Sequence, residues 1–403
     1  MLNYITPDEA IQLISETFTK NTKTESVPLL ESVGRILAEN IYANEYVPSF
    51  NRSAMDGYAV IAADTVGCSE DSPISFILQE EIEMGRAASA AIQPGHCVYV
   101  PTGGNIPDGA DAVVMVEYSA KNDDGTISLM KEVAPGTHYV SRGDDVYPGK
   151  IVLPQGRRIK SSDIGALAAM GCCDIPVVAK PIVGILSTGD ELIARDQQPE
   201  EGQIRDVNSA TIDVLVREVG GIPKFYGIIK DEFETLCSTV EKALSECDMV
   251  LLSGGSSVGL KDNTDQIIQR FGDILIQGIQ AKPGKPTIVG IANDKPLICL
   301  PGHPVSSFFN TAIFVKHTLR CMTGVTEDSY QVEATLTADV SPYKGRTAFI
   351  GAKLVYDGDK LTAIPLPAKS ATISVLAGAD AWFVVQKNSN GFAKGESVKL
   401  YLL

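Results

Sequence analysis

Histidine is scarce in this chain, basic residues are outnumbered, and long apolar runs are missing. The four histidines among 403 residues stand at no metal-ligand spacing. Lys and Arg number 34 against 50 Asp and Glu, a net charge of −16. That balance argues against broad attachment to nucleic-acid backbones, and an anionic substrate would need lysines and arginines gathered locally. No apolar run reaches the length of a bilayer span, so no membrane partner is expected. The opening MLNYITPDEA has neither a basic start nor an apolar core, so no secretory signal is expected and the protein reads as cytoplasmic. The eight cysteines form no C-x-x-C pair, and the adjacent Cys172 and Cys173 suit neither an ordinary disulfide nor a zinc site. Reduced, mostly buried thiols are expected. The G-x-x-x-x-G-K-[ST] loop and a complete G-x-G-x-x-G fingerprint are also missing, which argues against ATPase and nicotinamide chemistry.

What is present is a globular composition, 44% apolar and 21% charged, in a length suited to two to four domains. Three textures follow one another. Residues 1–176 read as a mixed, β-rich region of two subdomains. It opens on TPDEAIQLISETF, where Thr6 and Glu9 predict a capping box, Pro7 takes the first helical position, and Ile11, Ile14 and Phe18 share a face. The strings ISFILQEEI, HCVYV, DAVVMVEYS and TISLMKEV predict strands. SSDIGALAAMG predicts a helix capped by Ser161 or Ser162 and stopped at Gly171. Residues 177–325 alternate strand and helix, which predicts an α/β domain with a central, doubly wound, mostly parallel sheet. Residues 326–403 alternate in strand fashion, with a turn at Asp357-Gly358, and predict a small C-terminal β-barrel or sandwich.

In the middle region the unusual residues follow the strands, where open α/β sheets bind ligands. VLLSGGSSVGLKD runs from an apolar strand into a glycine-rich loop holding Gly254, Gly255 and Ser256, with Asp262 behind it. A tight turn built for packing would look similar in isolation. STGDEL places Asp190 and Glu191 after another strand, and KFYGIIKD ends at Asp231. Glu191, Asp231 and Asp262 are candidates for acid–base work, and Asp231 with Asp262 for holding Mg²⁺ beside a phosphate. Asp190 reads instead as a helix N-terminal acid. AKPGKPT sets Lys282 and Lys285 on a proline-stiffened loop, offering point charges to an oxyanion. LPGHPVSSF puts Ser306 at a helix start, either an anion site or a plain cap, and His303 reads as loop structure. In the first region Asp56 in PSFNRSAMDGYAV, Thr102 in VPTGGNIPDGADAV, and Arg142 and Asp145 in SRGDDVYPG are packed among small residues, with ordinary turn roles open to each.

Together these strings resemble the molybdopterin molybdenumtransferase family, the bacterial enzymes of molybdenum cofactor synthesis, similar to the E domain of gephyrin. Seven motifs, from PSFNRSAMDGYAV to LPGHPVSS, occur in the family's order between about residues 48 and 307. The resemblance implies a homodimer that takes molybdate and adenylylated molybdopterin to molybdenum cofactor and AMP, with Mg²⁺. It implies that Glu191, Asp231 and Asp262 lie at the nucleotide and Mg²⁺ end of a cleft lined by Gly254, Gly255 and Ser256. Lys282, Lys285, Ser306 and, from the C-terminal region, Arg346 and Ser370 would hold molybdate. Asp56, Thr102, Arg142 and Asp145 would complete the cleft, including from a partner subunit. A molybdopterin adenylyltransferase would act upstream, and apo-molybdoenzymes or their chaperones downstream. The chain departs from the family at NTDQ after Asp262 and at Ala371 after Ser370. The alternatives are an adenylyltransferase-type activity on the same central fold, or a non-catalytic gephyrin-like scaffold.

Overall fold

The computed structural model describes residues 4–19, 23–254, 261–325, 331–367 and 369–403, and for 261–263 the backbone alone. Helix α1 (Pro7–Thr17) begins as expected: Thr6 accepts from the Glu9 amide, and the Glu9 carboxylate accepts from the Thr6 amide at 2.7 Å. Its apolar stripe of Ala10, Ile14 and Phe18 is buried against the central sheet rather than against the β-rich region that follows it.

That region is built on two antiparallel legs. Residues Thr24–Pro28 pair with Asp174–Val178, Ile41–Tyr42 with Ile151–Leu153, and Arg52–Ser53 with Tyr139–Val140. Between the legs the chain makes a six-stranded sheet, with Gly57–Val60, His96–Val100 and Ile74–Glu81 near its middle. The legs have their own core around Leu37, Ile159, Leu167 and Ile175, and the sheet has cores on both faces. Helix α2 (Ser161–Ala169) corrects the expected cap. Lys160 holds the cap position, and neither serine caps the helix. The Asp163 carboxylate takes the Lys160 amide at 2.9 Å and the Arg157 guanidinium at 2.8 and 2.9 Å. A carboxylate tied to a guanidinium outcompetes a serine hydroxyl for the same free amides.

The central sheet contains β1 (Ile182–Thr188), β2 (Ile222–Ile229), β3 (Met249–Gly254), β4 (Gly272–Gln277), β5 (Ile288–Ala292) and β6 (Lys295–Leu300), in the order β2-β1-β3-β6-β5-β4. The first four in that order are parallel; β5 and β4 are antiparallel additions. Helices α3 (Asn208–Glu218), α6 (Pro304–Asn310) and α7 (Lys316–Thr323) cover one face with α1, while α4 (Phe233–Glu246) and α5 (Lys261–Phe271) cover the other. The doubly wound sheet is therefore as expected, apart from the β4/β5 pair. Helix α5 starts at Lys261.

Beyond it, β7 (Gln331–Leu336), β8 (Thr347–Asp357), β9 (Lys360–Leu366), β10 (Ala381–Val385) and β11 (Ser397–Leu402) close into a five-stranded barrel. Ala281–Lys282 from the central region adds itself in parallel to β8, through Ala281 opposite Thr347 and Lys282 opposite Ala348. The lysine loop is thus stitched to the barrel by backbone pairing. No helix among the described residues is long and apolar enough to cross a membrane.

Candidate active site

The strand order reverses between β1 and β3, the place where a crevice opens beyond the carboxyl ends of a doubly wound sheet. Thr188 and Gly254 end these strands as register partners. Gly254 has φ +119°, and a Cβ there would lie 2.0 Å from the Thr188 carbonyl oxygen. Only glycine allows this approach of the two strand ends. The Thr188 hydroxyl donates to the Asp231 carboxylate, which follows β2. The Asp231 amide donates to Asp190 Oδ1 at 3.4 Å. Asp190 stands in a turn ahead of the small Leu192–Ile193/Ile204–Arg205 ladder, not at a helix N-terminus, which corrects its expected role. Burial first, and then the charges of Asp190 and Glu191, push the Asp231 carboxyl up from its ordinary value, against the lowering effect of the Thr188 hydrogen bond. The charges of Asp190 and Glu191 therefore bear on Asp231 at this edge of the sheet. Among the described residues no three metal-ligating side chains already converge. An all-oxygen set of one or two carboxylates still fits Mg²⁺ held jointly with a substrate phosphate.

Along the same edge, on the far side of β3, lies a cavity of about 570 Å³. The loop from β4 to β5 supplies Lys282 and Lys285, the start of α6 supplies Ser306, and the barrel side supplies Arg346 and Ser370. All five residues expected to hold an oxyanion line this one space. His303 and Lys369 line it as well, and its described lining contains no carboxylate. The lysines are guided by aromatic faces: Lys282 Nζ sits 4.2 Å from the Tyr343 ring centroid, and Lys285 Nζ 4.4 Å from that of Tyr4. Gly284 between them has φ +114°, and a Cβ there would meet Asn310 Nδ2 at 2.3 Å. Its carbonyl accepts from Thr287 at 3.0 Å and Asn310 at 3.4 Å, which holds the loop down on α6.

Sequence reasoning missed the residues that brace this edge. Asp206 is buried, accepts from Ser187 at 2.7 Å and from the Ser209 amide at 3.1 Å, and so caps α3 while fixing the end of β1. Asn208, also buried, donates to Ser253 at the end of β3 and to the Gly302 carbonyl, both at 2.9 Å. It ties the end of β3 to the loop that carries His303, just ahead of α6. The one signal in the sequence was a D-x-N-S string before a helix, which ordinary capping also produces. Ser370 and His303 also meet, Oγ to Nδ1, at 3.1 Å.

The four candidates of the first region gather at the junction of legs and distal sheet. Asp56 accepts from the amide and hydroxyl of Thr102 at 2.6 and 2.8 Å, and these bonds hold its carboxyl below the usual range. The Arg142 guanidinium lies over the Tyr46 ring at 4.1 Å, and the Asp145 amide is tied to the Val47 carbonyl at 3.1 Å. None of the four lines the cavity within one chain. Gly255, Ser256 and the Asp262 side chain lie outside the described residues.

Known proteins match the chain from end to end. Residues 5–171 match a model described as the MoeA N-terminal region, domains I and II; 184–320 a probable molybdopterin binding domain; and 333–403 the MoeA C-terminal region, domain IV. The molybdopterin molybdenumtransferase of Bacillus subtilis is 34% identical, over 100% of this chain and 96% of its own length. That of Staphylococcus epidermidis is 32% identical, over 99% and 95%. The molybdopterin biosynthesis moeA protein of Pyrococcus horikoshii superposes with a TM-score of 0.88 at 34% identity, covering 100% of both chains. The chain belongs to the MoeA family, the molybdopterin molybdenumtransferases.

Proposed function

We propose that this protein inserts molybdenum from molybdate into adenylylated molybdopterin, with Mg²⁺-dependent release of AMP, to give molybdenum cofactor. One observation carries the reading: a cavity lined by basic and hydroxyl side chains and by no described carboxylate shares a sheet edge with a cluster of acids at the strand-order reversal. Neighbouring strands are spaced by about 4.8 Å, so β1 and β6 set the two ends roughly 10 Å apart. A single extended substrate can bridge them, with its phosphates at the acids and its metal-accepting end at the lysines.

Molybdate is a small tetrahedral dianion. Lys282, Lys285 and Arg346 neutralise it, and Ser306 at the first turn of α6 adds a hydroxyl donor. Asp231, raised by burial and by its acidic neighbours, gains most from a cation set against the oxygen that Thr188 does not engage. Mg²⁺ held by Asp231 with Asp262 and a substrate phosphate would neutralise charge at the bond that releases AMP. Glu191 shapes the same end. Asp56, Thr102, Arg142 and Asp145 complete the cleft from the partner subunit of a homodimer. In support, exposed apolar residues lie along the same legs: Tyr42, Tyr46, Phe50, Met55, Tyr147 and Ile151. The proposed domains are 1–176, 177–325 and 326–403, with α1 docked onto the second. Adenylylated molybdopterin comes from an adenylyltransferase, the product goes to apo-molybdoenzymes or their chaperones, and the setting is cytoplasmic.

The test is reconstitution. Protein incubated with adenylylated molybdopterin, Mg²⁺ and molybdate is expected to activate an added apo-molybdoenzyme, and omission of molybdate is expected to leave it inactive. Activation requiring ATP and plain molybdopterin instead would favour the adenylyltransferase alternative.

A further inference from the structure

His303 lies outside the roles assigned above, yet it stands at the rim of the oxyanion cavity in contact with one of its hydroxyls. It precedes α6 in the loop 301–303, and its partner Ser370 arrives from the segment between β9 and β10. Ser370 is doubly engaged. Its carbonyl accepts from the Val305 amide at 3.0 Å, and its Oγ lies 3.1 Å from His303 Nδ1. The backbone bond docks the barrel segment on the first turn of α6. The side-chain contact then decides what the hydroxyl offers to the cavity.

A serine hydroxyl has one proton and can accept through its lone pairs. If His303 Nδ1 is unprotonated, Ser370 spends its proton on the ring and turns lone pairs towards the cavity. If Nδ1 carries the proton, the ring donates to Oγ and the hydroxyl proton is free to point inward. A tetrahedral oxyanion only accepts hydrogen bonds, so it requires the second arrangement. The charged side chains of the lining, Lys282, Lys285, Arg346 and Lys369, can only donate. We infer that His303 is a positioning residue which, with its proton on Nδ1, orients the Ser370 hydroxyl as a donor to the bound oxyanion. The inference rests on reading the cavity as the oxyanion pocket.

A double-mutant cycle on the full-length protein tests it, with molybdate affinity measured by equilibrium dialysis. A hydrogen bond to a charged group is worth enough that His303→Phe and Ser370→Ala should each weaken molybdate binding about tenfold. The double variant should bind no more weakly than Ser370→Ala alone. His303→Asn, whose side-chain N–H can replace the ring donor, should stay within about twofold of the wild type. The KM for molybdate should rise in His303→Phe while that for adenylylated molybdopterin stays unchanged. The inference is overturned if His303→Phe binds molybdate like the wild type, if the two losses multiply in the double variant, or if both KM values rise together. A wild-type protein that binds no molybdate would overturn the pocket reading as well, which separates that failure from the failure of His303 alone.

Discussion

The Thr188 hydroxyl donates to the Asp231 carboxylate, linking the end of β1 to the residue that follows β2 by two positions. This bond engages one oxygen of Asp231, whose carboxylate also bears the charges of Asp190 and Glu191. The cluster has the character of a functional site, where local repulsion is tolerated for chemistry.

Asp231 therefore works against stability when ionised. Its folded-state value is raised, so the favourable contribution of its protonated form is present at low pH and is lost as pH rises through that value. Asp231→Asn is expected to raise the melting temperature at neutral pH by a few degrees, about 1 kcal/mol or less, while turnover falls at least a hundredfold. In the same scanning-calorimetry series, Mg²⁺ with AMP should stabilise the wild type and leave the variant unmoved. Equal stabilisation of both would remove Asp231 from the metal end.

Lys282 and Lys285, which line the cavity, are proposed to serve the other substrate, molybdate. Alanine at either is expected to raise the KM for molybdate roughly tenfold, and at both a hundredfold or more, since each removes a charge-assisted contact to a dianion. Steady-state kinetics at varied ionic strength should also show a weaker salt dependence in the variants. An unchanged KM in the double variant would take the lysines out of the pocket.

Gly284 lets the lysine loop lie against α6, since a side chain there meets Asn310 at a φ few L-residues adopt. Gly284→Ala should cost about 1–3 kcal/mol in urea unfolding and weaken molybdate binding through displaced lysines. Normal stability with normal molybdate affinity would show that the loop has slack.

Asp163 provides a check far from the chemistry. Burial opposes its charge, but the bonds from Arg157 and Lys160 prevail and hold its carboxyl below the ordinary range. Its stabilising contribution is complete above about pH 4, the unfolded value, and is lost as pH falls through the folded one. Asp163→Asn should destabilise the legs by about 1–3 kcal/mol at pH 7, a difference that shrinks in acid. A constant difference down to acid pH would mean the ion pair contributes nothing.

Much of this site was legible because its residues sit in short strings that carry their own chemistry. AKPGKPT announces two lysines on a stiff loop, and STGDEL and LPGHPVSSF follow apolar strands, so a parallel sheet brings those two to one edge. The brace was not legible. Asp206 and Asn208 look like ordinary capping residues until their partners Ser187, Ser253 and Gly302, distant in sequence, are in place. The same holds for His303 and Ser370, 67 residues apart. The amphipathic face of α1 was plain from Ile11, Ile14 and Phe18, but periodicity names a face and not the surface it covers. Strands β4 and β5 escaped notice because GDILIQ and IVGIA are short apolar runs flanking a proline-rich loop, without the β–α alternation that marks their neighbours.

The most direct measurement mixes the purified protein with adenylylated molybdopterin, Mg²⁺ and molybdate and follows AMP by chromatography. The account predicts AMP release that rises with molybdate, saturates, and is lost in Asp231→Asn. Release indifferent to molybdate, or none at all with folded protein and both substrates present, would contradict it.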